Sequence, residues 1–257
     1  MTHNTETSGP VHSIDVEAPA RLHLGFLDLH GGMGRHFGSI GLTIDSLATR
    51  LRAELSDDFT ATGPGAQRAL KYAKAFAKAG GIEGGAHISL QQAIPDHIGL
   101  GSGTQMALAV GAAMARLYGM QSTSRVIART LGRGARSGIG IGAFDQGGFV
   151  LDCGRGETEA VPPVAARLHF PETWRVLLLF DIRGQGLHGA GEVDAFSSLP
   201  EFPQSNAAHF CHLVMMKVLP GILECRLQSV ADAIGEIQQV VGDHFAPAQG
   251  GRFTSPV

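Results

Sequence analysis

Long apolar runs are missing from this chain. The longest, Met106 to Ala115, falls far short of the roughly 20 residues that span a bilayer. The first residues, Met1 to Ser13, are polar and lack a signal-peptide core. An excess of either charge is missing too: 20 Lys+Arg against 23 Asp+Glu leaves a net charge of −3. A chain so near neutrality is ill suited to general binding of nucleic acid or of an anionic membrane surface. Cysteine is scarce. Cys153, Cys211 and Cys225 form no CxxC pair and their number is odd, which fits a reducing cytoplasm better than a disulfide framework. Charged residues at 17% beside hydrophobic residues at 44% exclude disorder and coiled coil.

What the chain has in excess is glycine, 36 in 257 residues, roughly twice the usual share. No G-x-y period accompanies them, so collagen is excluded. They are expected at turns, at helix ends and where backbone approaches a ligand. The order of segments predicts an α+β fold. Residues 1–12 read as a loose tail. Apolar β-type runs follow at 14–18, 21–27, 39–44 and 49–55. A helix is predicted over 66–79, a half-buried strand over 86–90, a buried helix over 104–118 and a short helix over 124–131. A further strand is predicted at 147–152. Pro162, Pro163 and Pro171 mark a linker, which suggests domains at 13–165 and 172–257. The second would hold a continuous apolar strand at 176–180 and helices at 206–218 and 227–241.

Four segments carry candidate chemistry. Gly99, Gly101, Ser102, Gly103, Thr104 and Gln105 form a glycine-rich loop opening a helix, where free N–H groups and the helix dipole suit phosphate or pyrophosphate. No Gly-Lys-Ser/Thr follows, so it is not a Walker A loop, and no acidic residue follows at the Rossmann spacing. Strand alternation puts Arg21 and His23 on one face, where they can grip phosphate or carboxylate. Arg133 and Arg136 stand beside glycines, and Asp145 precedes a Gly-Gly pair. Gly138 to Ala143 formally fits G-x-G-x-x-A, but the dinucleotide reading is rejected because a strand, not a helix, is expected after it. The fourth segment, Asp181 to His188, holds Arg183. His209 and His212 beside Cys211 suggest zinc only weakly, and a solvated helix face is the favoured reading.

Taken in order, these stretches resemble the GHMP superfamily. Pro95-x-x-x-Gly99-Leu100-Gly101-Ser102 resembles its second, phosphate-binding motif. Within the superfamily, Arg21 to Leu29, Gly99 to Gln105, Arg136 to Gly140, Gly147 to Phe149 and Gly250 to Phe253 resemble the β-ribofuranosylaminobenzene 5′-phosphate synthases of methanopterin biosynthesis. Superfamily kinases carry Gly-Glu-His where this chain has Gly25-Phe26-Leu27, and paired serines where Gly103 follows Ser102. Both departures argue against the main alternative, an ATP-dependent small-molecule kinase. A non-catalytic phosphate-ligand binding protein is the other alternative.

The resemblance implies an N-terminal domain like ribosomal protein S5 domain 2 and a ferredoxin-like C-terminal domain. It also implies that family members continue past the position of Val257 into a third glycine-rich motif, so the C-terminal domain is expected to be incomplete. The implied reaction joins 4-aminobenzoate to phosphoribosyl pyrophosphate, releasing carbon dioxide and pyrophosphate. Whether the benzoate is 4-amino or 4-hydroxy stays open. No organic cofactor is implied; Mg²⁺ is expected with the pyrophosphate, reached by Ser102 through phosphate oxygens. The partners are small-molecule substrates, with a homodimer left open, in the cytoplasm. The Gly99–Gln105 loop and Arg136 would bind pyrophosphate, and Arg21 or Arg183 the carboxylate. Asp28 or Asp145 would face the ribosyl cation, and His23 would move a proton.

Overall fold

The computed structural model describes residues 11–180 and 199–253. Its frame is one long antiparallel hairpin, β1 (Ser13–Asp28) on β2 (Phe37–Ser56). The four β-type runs expected in this region are thus two strands. Pro19, which has no N–H to give a ladder, sits at the register break: Pro19 pairs with Ala48 and Ala20 with Ile44, so Asp45, Ser46 and Leu47 bulge from β2. Four more strands complete a mixed sheet: β3 (Thr60–Thr62), β4 (Gly85–Gln92), β5 (Phe149–Asp152) and β6 (Val164–Leu168). Their order is β3-β4-β2-β5-β6, with β1 also on β2, and only β3–β4 is parallel. The segment read as a linker therefore contains β6, which pairs with β5.

Four helices follow the pattern of the first half: α1 (Ala66–Gly80), α2 (Ser102–Leu117), α3 (Ser124–Thr130) and α4 (Ile139–Asp145). Helix α2 is buried nearly all round, as its composition requires; Met106, Leu108, Val110 and Met114 have no exposed surface. They pack with Leu51, Ala53, Ile88 and Leu90 of the sheet and with Tyr72, Ala73 and Phe76 of α1. Helix α4 departs from expectation, since no helix was predicted between Gly138 and the strand expected at 147–152, which forms as β5. Glycine disfavours helix, but here Ser137 Oγ accepts from Ile139 N at 3.2 Å and Asp152 Oδ2 from Gly138 N at 2.8 Å. These acceptors satisfy the free donors of a helix start. The dinucleotide reading loses the ground on which it was rejected, but a strand still does not precede the motif.

The C-terminal half is helical among the described residues. It comprises α5 (Gln204–Leu213), one wide π turn at Val214–Val218, α6 (Leu219–Leu223) and α7 (Leu227–Gln249). Phe202, Phe210, Val218, Val230 and Ile237 of this half close over Leu27, Ile40, Leu42 and Phe149 of the sheet. The strand expected at 176–180 does not form: Leu177 and Leu179 are 82% and 85% exposed. An apolar run becomes a strand only where a neighbouring edge takes its backbone hydrogen bonds. No described helix is long and apolar enough to cross a membrane.

Candidate functional site

The site grows from the point where β1 passes the start of α2. Opposite residues of an antiparallel pair share a face, so Arg21 and Thr43, and likewise His23 and Gly41, project together. That face meets α4 at Ile139 and the glycine loop at Gly99–Gly101. The expectation that Arg21 and His23 share one face of a strand holds, and their neighbours are now visible.

Arg21 donates from Nη1 to the Gly99 carbonyl at 2.7 Å, and its backbone N–H to the Leu100 carbonyl. No carboxylate pairs with it among the described residues. Burial lowers its pKa to about 10, so it remains a cation at neutral pH. His23 lies beside it, against the Phe26 ring at 4.5 Å. Desolvation first, and the Arg21 charge second, lower the His23 pKa to about 3. Its Nε2 and the Thr43 hydroxyl are buried without a hydrogen-bond partner.

The glycine loop is shaped by backbone. Gly101 caps α2 at φ 80°, the left-handed region that glycine enters without strain. A Cβ there would stand 3.1 Å from Arg21 Cζ, so only a bare backbone lets the guanidinium close on the helix start. Ser102 Oγ donates to Asp96 Oδ1 at 3.0 Å, and Arg68 of α1 pairs with the same oxygen. Gln105 Nε2 donates to the Gly140 carbonyl at 2.8 Å, and a Cβ on Gly140 would lie 2.9 Å from Thr104 Cγ2. The Gly99–Gln105 and Gly138–Ala143 segments of the sequence therefore meet at the first turn of α2.

Beneath α4 lies a buried knot. Asp152 has no exposed surface and accepts from Ser39 Oγ at 2.5 Å, Ser137 Oγ at 3.3 Å, Gly138 N at 2.8 Å and Gly154 N at 2.9 Å. Its pKa is raised, because desolvation outweighs these four bonds. The knot fixes the turn at Ser137–Ile139 from which α4 starts.

The two carboxylates expected at the ribose each hold a local hydrogen bond. Asp28 Oδ1 accepts from the N–H groups of His30 and Gly31, closing a turn. Seven residues of extended strand, about 20 Å, separate it from Arg21. Asp145 is exposed at the far end of α4 and takes a hydrogen bond from Ser124. Arg183 lies outside the described residues. His209 pairs with Glu236 at 2.6 Å, and among the described residues no group of three metal-ligating side chains forms. Asp96, Arg68, Thr43 and Asp152 join the site unannounced by any motif. They come from separate elements and only the tertiary fold collects them.

A glycine-rich loop seated between this hairpin and these helices defines a class. A family model described as the GHMP kinases N-terminal domain matches residues 66–152. The mevalonate kinase of L. major, solved with R-mevalonate, shares the fold with a TM-score of 0.60 at 14% identity, over 91% of this chain and 78% of that one.

Two curated proteins are nearer. The one from Archaeoglobus fulgidus is 37% identical over 238 residues, covering 88% of this chain and 75% of its own. The one from Methanothermobacter thermautotrophicus is 33% identical over 245 residues, covering 87% and 74%. Both are named beta-ribofuranosylphenol 5′-phosphate synthase, and this chain belongs to their family.

Proposed function

We propose that this chain transfers ribose 5-phosphate from phosphoribosyl pyrophosphate to the carboxyl-bearing carbon of a para-substituted benzoate. The observation that carries this reading is Arg21, a desolvated cation whose side chain pairs, among the described residues, with a carbonyl and no carboxylate, set against the glycine start of α2. Such a place suits a ligand rich in negative charge. The relatives' name supplies a phenol product, which 4-hydroxybenzoate would give; 4-aminobenzoate would give the aminobenzene by the same steps.

The bond from ribose C1′ to pyrophosphate breaks, and pyrophosphate leaves with the electron pair. The ring carbon, made nucleophilic by the para amino or hydroxyl group, bonds to C1′. The bond to the carboxylate then breaks, its electron pair restores the aromatic ring, and carbon dioxide departs. No proton need leave the ring. A neutral His23 therefore serves by packing beside Arg21 against Phe26, in place of the proton transfer expected from sequence.

Backbone N–H groups of the Gly99–Gln105 segment, with Arg136, stabilise the charge growing on pyrophosphate. Arg21 holds the benzoate carboxylate until it leaves. Mg²⁺ would neutralise pyrophosphate charge; Ser102 and Asp96 offer it the hard oxygen donors it prefers.

The test is incubation with phosphoribosyl pyrophosphate, Mg²⁺ and carboxyl-labelled 4-hydroxy- or 4-aminobenzoate, trapping carbon dioxide, with an ATP control. Labelled gas without ATP is expected. ATP-dependent product alone, or ligand binding with no gas, would overturn the proposal.

A further inference from the structure

Arg133 follows α3 in a Gly-Arg-Gly turn, and its side chain reaches back to the first turn of α2. A Cβ on Gly103 would stand 3.4 Å from its Nη1. On its other side Tyr72 of α1, only 6% exposed, accepts from Nη2 and places its ring centroid 5.3 Å from the guanidinium carbon. No carboxylate pairs with Arg133 among the described residues, and its Nε is buried without a partner. Arg68, also from α1, leaves its own Nε in the same condition while Nη1 holds Asp96.

Successive positions of the α2 start thus meet successive elements. Gly101 meets Arg21 of β1, Ser102 meets Asp96 with Arg68, Gly103 meets Arg133, and Thr104 meets Gly140 of α4. A guanidinium braced by an aromatic ring and a hydroxyl, with unused donors, is preorganised for an anion with several oxygens. It is a second seat, at Gly103, distinct from the one Arg21 makes at Gly101.

We propose that Arg133, braced by Tyr72 and flanked by Arg68, binds a phosphate group of the ribosyl donor. The inference rests on the proposed function for the identity of the ligand. That donor carries phosphate at two places, the 5′ end and the leaving pyrophosphate, which matches a site needing more than one cationic seat. Tyr72 is a positioning residue, because it acts through Arg133.

The experiment titrates the whole chain with inorganic pyrophosphate and, separately, with ribose 5-phosphate, by calorimetry at fixed salt. Arg133→Ala is expected to weaken one of the two at least tenfold, and the one weakened names the source of the phosphate. Arg133→Lys should restore part of the loss, since it keeps the charge without the planar fork. Tyr72→Phe should weaken the same ligand a few-fold and raise KM for phosphoribosyl pyrophosphate by more than it lowers kcat. Gly103→Ala guards against misfolding as the explanation. Its methyl fits at ordinary contact distance, and alanine favours helix, so the melting temperature should hold while affinity for the same ligand falls.

Unchanged affinity for both ligands in Arg133→Ala, or in Gly103→Ala should Arg133→Ala not fold, overturns the inference. Arg133-dependent phosphate binding without carbon dioxide release would sink the proposed reaction and leave this seat standing. Carbon dioxide release with affinity indifferent to Arg133 would do the reverse.

Discussion

His23 makes the stability of the protein depend on pH in a way that can be worked out beforehand. The folded chain keeps the ring neutral down to a pKa of about 3, whereas the unfolded chain takes a proton at its ordinary value of 6.5. The unfolded state therefore binds the extra proton, and stability falls as pH falls. His23's contribution is complete above pH 6.5 and drains away between there and pH 3. Between pH 7 and pH 5 the integrated loss is about 2 kcal/mol, and below pH 5 it grows by about 1.4 kcal/mol per unit. The residue as a whole keeps some exposure, but its Nε2 is buried without a partner, so solvent screening does little to reduce this order-of-magnitude figure.

The assay is urea unfolding at pH 7 and pH 5 for the parent and His23→Gln. The parent should lose about 2 kcal/mol more than the variant over that interval. His244, whose pKa burial also lowers, is common to both and cancels. Equal losses would refute the reasoning, as would a His23 ring resonance that titrates above pH 5 in the folded protein.

Other substitutions probe the frame. Gly101→Ala forces a side chain into φ 80° and against Arg21, and should cost about 1–2 kcal/mol in denaturant unfolding. Asp152→Ala removes the acceptor of two backbone N–H groups and of two hydroxyls, which keep their bond to each other; a loss of about 3 kcal/mol is expected, and Asp152→Asn should lose less. Phe210→Ala empties a fully buried site between α5 and the sheet. It should lower stability by about 3–5 kcal/mol, and a change under 1 kcal/mol would show that α5 is not docked there.

Much of the frame can be read from local pattern. Helix α1 and strand β4 carry clear periodicity, helix α2 is apolar nearly all round, and Arg21 and His23 alternate as a strand face demands. What escapes that reading depends on distant partners. Helix α4 looks like loop because glycine fills it, yet Asp152, more than ten positions on, supplies the acceptor that starts it. The run at 176–180 looks like strand, but no edge among the described residues receives it. Asp28 sits on a promising segment, and its carboxylate turns out to close the adjacent turn. Arg133 is visible beside its glycines, but nothing local shows that Tyr72 and Gly103, from two other helices, will frame it.

Strand β2 belongs to two interiors at once. Its later residues, Leu51 and Ala53, lie in the core with α1 and α2, while Ile40 and Leu42 lie in the core with α5 and α7. Neither interior can melt without fraying a strand the other depends on. The two should therefore lose structure in one transition. A ligand seated at Arg21, on the strand paired with β2 between them, would raise the melting point of both by the same amount.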